Sequence, residues 1–187
     1  MCSQRCRLVL CRFFVYMEGS EIMSMEVELW DVYDADRNLT GRVHLRGTPI
    51  PEGDYHLVVQ VWMRNSRGEY LLTKRTPNKT HPGKWETTGG CAQAGDDSLS
   101  AVLREAKEET GLILDPEKGR LFLSFRSDCA FADIWLFEQD FDLADVIFQE
   151  GETCGAMYAS PEKIYEMLHA GMMVPCRYLD QLLGGEK

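Results

Sequence analysis

The sequence predicts a single domain of the mixed α/β (α+β) class, on three observations. Runs rich in β-branched and aromatic residues, such as Tyr55–Met63 (YHLVVQVWM) and Phe131–Phe137, have the composition of buried strands. Between them, Leu99, Val102, Leu103 and Ala106 recur at the i, i+3, i+4, i+7 spacing of a helix with one apolar face. The 187 residues, 44% of them hydrophobic, are enough for one real core, and no repeat or low-complexity linker divides them.

At the start, residues 1–24 differ in character from the rest of the chain. They hold Cys2, Cys6 and Cys11 and an apolar run, LVLCRFFVYM, that Arg12 interrupts. A secretory signal needs a longer apolar stretch and a small-residue cleavage site. The segment is therefore expected to be a dispensable extension, with Met23 or Met25 as an alternative start. Two extended stretches between Glu26 and Gly47 flank the polar residues Asp34–Asn38 and predict a hairpin, followed by the loop Pro49–Gly53. Tyr55–Met63 and Glu69–Arg75, joined by the turn Asn65–Gly68, predict a second hairpin at the centre of the sheet.

The next segment, KRTPNKTHPGKW, gathers Lys74, Arg75, Lys79 and Lys84. It reads either as a solvated loop or as a clamp for phosphate oxygens, with Arg75 and Lys84 as the named substrate contacts. Trp85 is expected in the core, and His81 is assigned no chemistry. A glycine turn at Gly89-Gly90 then leads into the helix, which Asp97 or Ser98 can cap and Gly111 can end. Beyond it, Leu121–Phe125 and Phe131–Phe137 predict strands, the second buried on both faces. EGETCGAMYAS leads to a helix opened by Ser160-Pro161, with Ile164, Met167 and Leu168 as its stripe. Tyr178, Leu179, Leu182 and Leu183 suggest a last one.

Charge and cysteine usage exclude several classes. A formal net charge of -10 lacks the basic footprint of a nucleic-acid binder. No apolar run reaches the length of a membrane span. Seven cysteines with no C-x2-C pair offer neither a zinc site nor a disulfide framework, which points to reduced thiols in a cytoplasm. The expected partner is a small anionic molecule, and a homodimer is left open.

The chemistry concentrates in GGCAQAGDDSLSAVLREAKEETGL, residues 89–112. Glu105, Glu108 and Glu109 lie three and four residues apart, hence on one helical patch. Crowded carboxylates repel unless a cation neutralises them, and an oxygen-only ligand set favours Mg²⁺ or Mn²⁺ over zinc. Taken alone, the same residues also describe a solvated helix with an Arg104–Glu108 ion pair.

The whole spacing separates the two readings. Gly90, five residues, Asp96, seven residues, then Arg104-Glu105-Ala106-x-Glu108-Glu109-x-Gly111-Leu112 resembles the signature of the Nudix hydrolases, G-x5-E-x7-R-E-U-x-E-E-x-G-U, at eight of nine specified positions. The departure is Asp96, one methylene short of the family's glutamate, which suits it to pair with Arg104 or cap the helix.

The resemblance implies an α/β/α sandwich with a mixed central sheet, a single domain over 25–187 with its core at about 54–185. It implies metal-dependent cleavage of a diphosphate bond in a nucleoside diphosphate linked to some group X, or in a related organic pyrophosphate. Mg²⁺ or Mn²⁺ would be held by Glu105, Glu108, Glu109 and the Gly90 carbonyl, with Arg104 orienting the glutamates. The base would be Glu105 or Glu152. The resemblance also makes Glu152 a candidate fifth ligand: it stands six residues before Tyr158, at a place where many Nudix enzymes carry a further glutamate, and Glu150 is its rival. The opening hairpin and the Pro49–Gly53 loop resemble the branch that contains isopentenyl diphosphate isomerases. Isomerase chemistry would need a cysteine near the glycine turn, and Cys91 lies one residue beyond the aligned place. A ligand sensor on the same scaffold is the other alternative.

Overall fold

The computed structural model describes residues 28–184. The segment 1–24, expected to be dispensable, lies outside the described residues.

A small antiparallel sheet comes first, formed by β1 (Leu29–Tyr33) and β2 (Leu39–Leu45). Its turn is fixed by Asp34, whose Oδ1 accepts from the backbone N–H groups of Asp36 and Asn38, both at 2.9 Å. Arg37 takes the left-handed conformation there, with φ 66°. From that turn Arg37 reaches the main sheet and donates twice to Asp133, at 2.8 and 2.5 Å.

The main sheet is built on β3 (His56–Arg64). One edge of β3 pairs in parallel with β8 (Ala130–Glu138) over its full length, from His56 opposite Ala130 to Arg64 opposite Glu138. The residues Val58–Val61 pair antiparallel with β6 (Thr88–Cys91). β7 (Gly119–Arg126) continues the sheet beside β8. β4 (Tyr70–Arg75) is flanked by β5 (Trp85–Glu86) and β9 (Thr153–Ala159). The β3–β4 hairpin exists, but its strands pair only where Arg64 faces Tyr70, since β6 takes the Val58–Val61 stretch of β3.

Alternation along β3 divides the core. Leu57, Val59, Val61 and Met63 face α1 (Ser98–Thr110), where they meet Ala101, Val102 and Ala106. Trp62 faces the other way, into a cluster with Tyr70, Leu72, Ile134 and residues of α2 (Pro161–His169) and α3 (Leu179–Leu183). Helices thus cover both faces of a mixed sheet, the expected α/β/α arrangement. Side chains as enclosed as Val59, Val61 and Ile134 each contribute about 1.5–3 kcal/mol relative to exposure. β8 feeds both clusters, Phe131 and Phe137 to one and Ile134 and Leu136 to the other, which accounts for its imperfect alternation.

Two expectations differ from the structure. Gly89 and Gly90 form no turn; they lie within β6 and pair with Gln60 and Val59. β9 is a strand where only a connecting stretch was expected. TCGAMYA lacks a β-branched run, and its conformation is imposed by pairing with β4 from Tyr70 to Arg75. Among the described residues no helix is long and apolar enough to cross a membrane.

Candidate active site

The acidic helix starts and ends on its own signals. The Asp97 side chain accepts from the Ser100 backbone N–H at 2.7 Å, and Gly111 ends α1 in the left-handed region at φ 72°. Fixing both ends fixes the rotation of the helix. Val102 and Ala106 are then fully buried against β3, and the three glutamates become unequal. The side chains of Glu105 and Glu109, one turn apart, are only 13% and 8% exposed, while that of Glu108 is 44% exposed at the rim.

Glu105 rests on β6. A Cβ at Gly90 would fall on the Glu105 carboxyl group, so the position admits only glycine while that carboxylate stays in place. Arg104 organises the surroundings. It donates to Asp96 Oδ2 through Nε at 3.1 Å and Nη2 at 3.0 Å, to Glu105 at 2.9 Å, to Glu108 at 3.0 Å and to the Cys91 carbonyl at 3.0 Å. Asp96 also accepts from the Gln93 backbone at 3.1 Å, so the shorter acid serves as an anchor for Arg104 and for the loop before α1. Burial raises the Glu105 pKa to about 7, against the opposing pull of Arg104.

Glu109 is the centre of a second group. Burial pushes its pKa up to about 8; Lys79 opposes the rise, and Glu105, Glu86 and Glu152 add to it. The Lys79 ammonium stands 3.7 Å from Glu109 and in closer contact with Glu152. Burial disfavours that charge, yet Glu109 and Glu152 hold the Lys79 pKa above the usual lysine value. Glu152 therefore reaches the helix cluster from the loop before β9, while its rival Glu150 is exposed and makes no ion pair among the described residues.

The two substrate cations expected from the sequence stand differently. Arg75 is 4% exposed and turned inward, donating to Glu86, to the Thr80 carbonyl and to Thr80 Oγ1. A guanidinium so enclosed holds Glu86 and its own loop in this structure. Lys84 is half-buried; its backbone meets Arg75 and His81, and among the described residues no ion pair joins its side chain to the carboxylates. Lys74 lies over the ring of Trp85 at 5.7 Å. Glu86 was missed from the sequence. It is a largely enclosed carboxylate whose pKa burial raises, against Arg75 and Lys79. Its only signal was its position three residues before Gly89. A polar cleft of about 360 Å³ lies elsewhere, lined by residues such as Arg64, Ser66, Lys118 and Asp140 and by none of these glutamates.

The match to known proteins agrees with this geometry. Residues 54–172 match the NUDIX domain. The chain belongs to the Nudix family. A Nudix hydrolase of Listeria innocua, itself uncharacterized, is 33% identical over 158 residues, which span 83% of this chain and 94% of that one. An isopentenyl-diphosphate Delta-isomerase of Corynebacterium glutamicum is 35% identical over 101 residues, half of each chain. Among solved structures, a Deinococcus radiodurans protein superposes with a TM-score of 0.68 at 24% identity, over 84% of this chain and 98% of that one, a likeness of fold. This Nudix chain is accordingly a hydrolase acting on pyrophosphate bonds. Such hydrolases generally use divalent metal ions.

Whether the Nudix residues present here suit such an ion can be judged from their donors. All are oxygens, the choice of a hard cation, and the Gly90 cradle keeps one carboxylate at the strand. The gap between the enclosed Glu109 and the partly exposed Glu152 already holds a positive charge, that of Lys79. Among the described residues no three His, Cys, Asp or Glu side chains form a ready cage, because Arg104 holds Glu105 and Glu108 while Lys79 holds Glu109 and Glu152. The donors are thus of the chemistry a hard cation takes, and in this structure cationic side chains occupy them.

Proposed function

We propose that the protein is a Mg²⁺- or Mn²⁺-dependent Nudix hydrolase that cleaves the diphosphate linkage of a nucleoside diphosphate-X, or a related organic pyrophosphate, into two phosphate-bearing fragments. One observation carries the reading: Glu105 and Glu109 are buried one turn apart, the first seated on Gly90 and the second bridged to Glu152 through Lys79. Carboxylates are kept buried at such cost where a cation and a polyanion will meet them.

Glu105, Glu109 and Glu152 would hold the ion with the Gly90 carbonyl, and Glu108 would complete the set from the rim. When bound, the ion supplies charge neutralisation for the diphosphate and makes nearby water more acidic. Glu105 or Glu152 takes the proton of the attacking water. Arg104 keeps Glu105 and Glu108 on one side of the site, and Asp96 keeps Arg104 there. The substrate is a small molecule, in keeping with the acidic chain, and the absence of a disulfide or zinc spacing favours a reducing cytoplasm.

Isomerisation of an allylic diphosphate is the second reading, motivated by the Corynebacterium relative. Alternation along β6 argues against it. The position of Gly90 points at Glu105, so the adjoining Cys91 side chain is sent to the opposite face of the strand. A panel of nucleotide sugars, dinucleotides and prenyl diphosphates, followed by ³¹P and ¹H NMR with and without Mg²⁺, tests both readings. Two phosphate-bearing products only with Mg²⁺ support hydrolysis. Double-bond migration without cleavage would replace it with isomerase chemistry.

A further inference from the structure

The loop between β4 and β5 carries Lys79, which the sequence grouped with the cations of a solvated loop or phosphate clamp, to the carboxylates. Its side chain is only 15% exposed, and its ammonium bridges Glu109 of α1 and Glu152 of the β9 loop. The loop itself is fastened by other residues. Thr76 donates from its backbone N–H to the Glu152 carbonyl at 3.1 Å and from its hydroxyl to the Gly151 carbonyl at 2.6 Å. Arg75 holds Thr80 by both backbone and side chain. The backbone of Lys79 itself closes only a local turn, from its N–H to the Thr76 carbonyl at 3.3 Å. Its side chain can therefore leave the carboxylates while the loop keeps its place.

Building on the metal-dependent reading, we propose that Lys79 is an internal counter-cation whose ammonium is exchanged for the divalent ion when the Glu109–Glu152 gap takes up metal. The physical argument is competition. Glu109 is only 8% exposed while Glu152 is 35% exposed, so the enclosed member of the pair needs a positive charge beside it, and the ammonium of a flexible four-carbon side chain is a compact, mobile one. An ion entering the gap must displace Lys79, and the free energy of the Lys79 contacts is subtracted from that of metal binding. Lys79 is thus a positioning residue: it keeps Glu109 and Glu152 facing each other and sets the threshold at which the ion enters.

The test is a calorimetric titration of the full-length protein with Mn²⁺ alone, at one pH and without substrate. The wild type is compared with Lys79→Met, Lys79→Arg and Glu109→Gln, and thermal melts confirm that each chain is folded. The expected result is Mn²⁺ binding at least about fivefold tighter in Lys79→Met, the low end of typical couplings between linked sites. Lys79→Arg, which keeps the competing charge, should bind within about twofold of wild type. A Lys79→Met chain that binds Mn²⁺ no tighter than a wild type that does bind it overturns the exchange and leaves the metal reading standing. Unchanged binding in Glu109→Gln, or no Mn²⁺ uptake by any chain, would remove the metal reading and the exchange together.

Discussion

Adjacent glycines in β6 should fail in opposite ways when each is replaced by alanine. At Gly90 the three atoms nearest an added Cβ all belong to the Glu105 carboxyl group, with Oε1 2.5 Å away. A relaxed contact needs about 3.5 Å, so the carboxylate must retreat by about 1 Å. It is the far end of a flexible side chain, and it can retreat without moving the strand. Misplacement by about 1 Å costs on the order of 100-fold in rate, equivalent to about 2.7 kcal/mol of transition-state stabilisation. At Gly89 the Cβ would meet backbone instead, the Val59 carbonyl and Gln60 Cα, the latter at 2.9 Å. There the β3–β6 pairing itself must open. Gly90→Ala should therefore lose about 100-fold in kcat/KM with a melting temperature close to wild type, and Gly89→Ala should lose several kcal/mol of stability, in the range of overpacked or strained cores. Steady-state hydrolysis with Mg²⁺ and a thermal melt of each variant measure the pair. Full activity in Gly90→Ala would refute the reasoning that this glycine exists to seat Glu105.

Three further outcomes rest on single contacts. His56 is 8% exposed and lies 4.3 Å from Trp30 between ring centres, and burial lowers its pKa from 6.5 to about 4. The unfolded chain then binds the extra proton between those values, so stability falls as pH drops from about 6.5 to about 4, by about 3 kcal/mol in all; His56→Phe should flatten that part of a urea-denaturation pH profile. Arg37→Ala would leave Asp133, fully enclosed, without its cation, and because Arg37 is itself a third exposed the loss should be about 2 kcal/mol, with faster amide exchange across 29–45. Asp97→Ala removes the α1 cap and should lower stability by about 1 kcal/mol in chemical denaturation, while kcat at saturating Mg²⁺ stays within about twofold.

Local signals made much of this fold legible, and long-range pairing hid the rest. The caps at Asp97 and Gly111, the apolar stripe of α1, the Asp34 turn and the Ser160-Pro161 helix start are all set by residues a few positions apart. β9 was hidden because its conformation depends on β4, more than seventy residues earlier in the chain. Gly89-Gly90 looked like a turn because glycine signals flexibility; in the structure it signals close approach, to a strand at one position and a carboxylate at the other. At the site, the signature named Glu105, Glu108 and Glu109 but not their inequality, which comes from the rotation of α1 against β3. Arg75 looked available to substrate because the sequence did not reveal that Glu86, eleven residues on, would enclose it.

In the proposed site Glu105 and Glu109 jointly hold the divalent ion. A crystal grown with Mn²⁺ and measured at a wavelength where manganese scatters anomalously tests it most directly. One anomalous peak is expected about 2.1 Å from oxygens of both carboxylates, with the Lys79 ammonium moved away from Glu109. A peak at any other place in crystals of the active enzyme would contradict it.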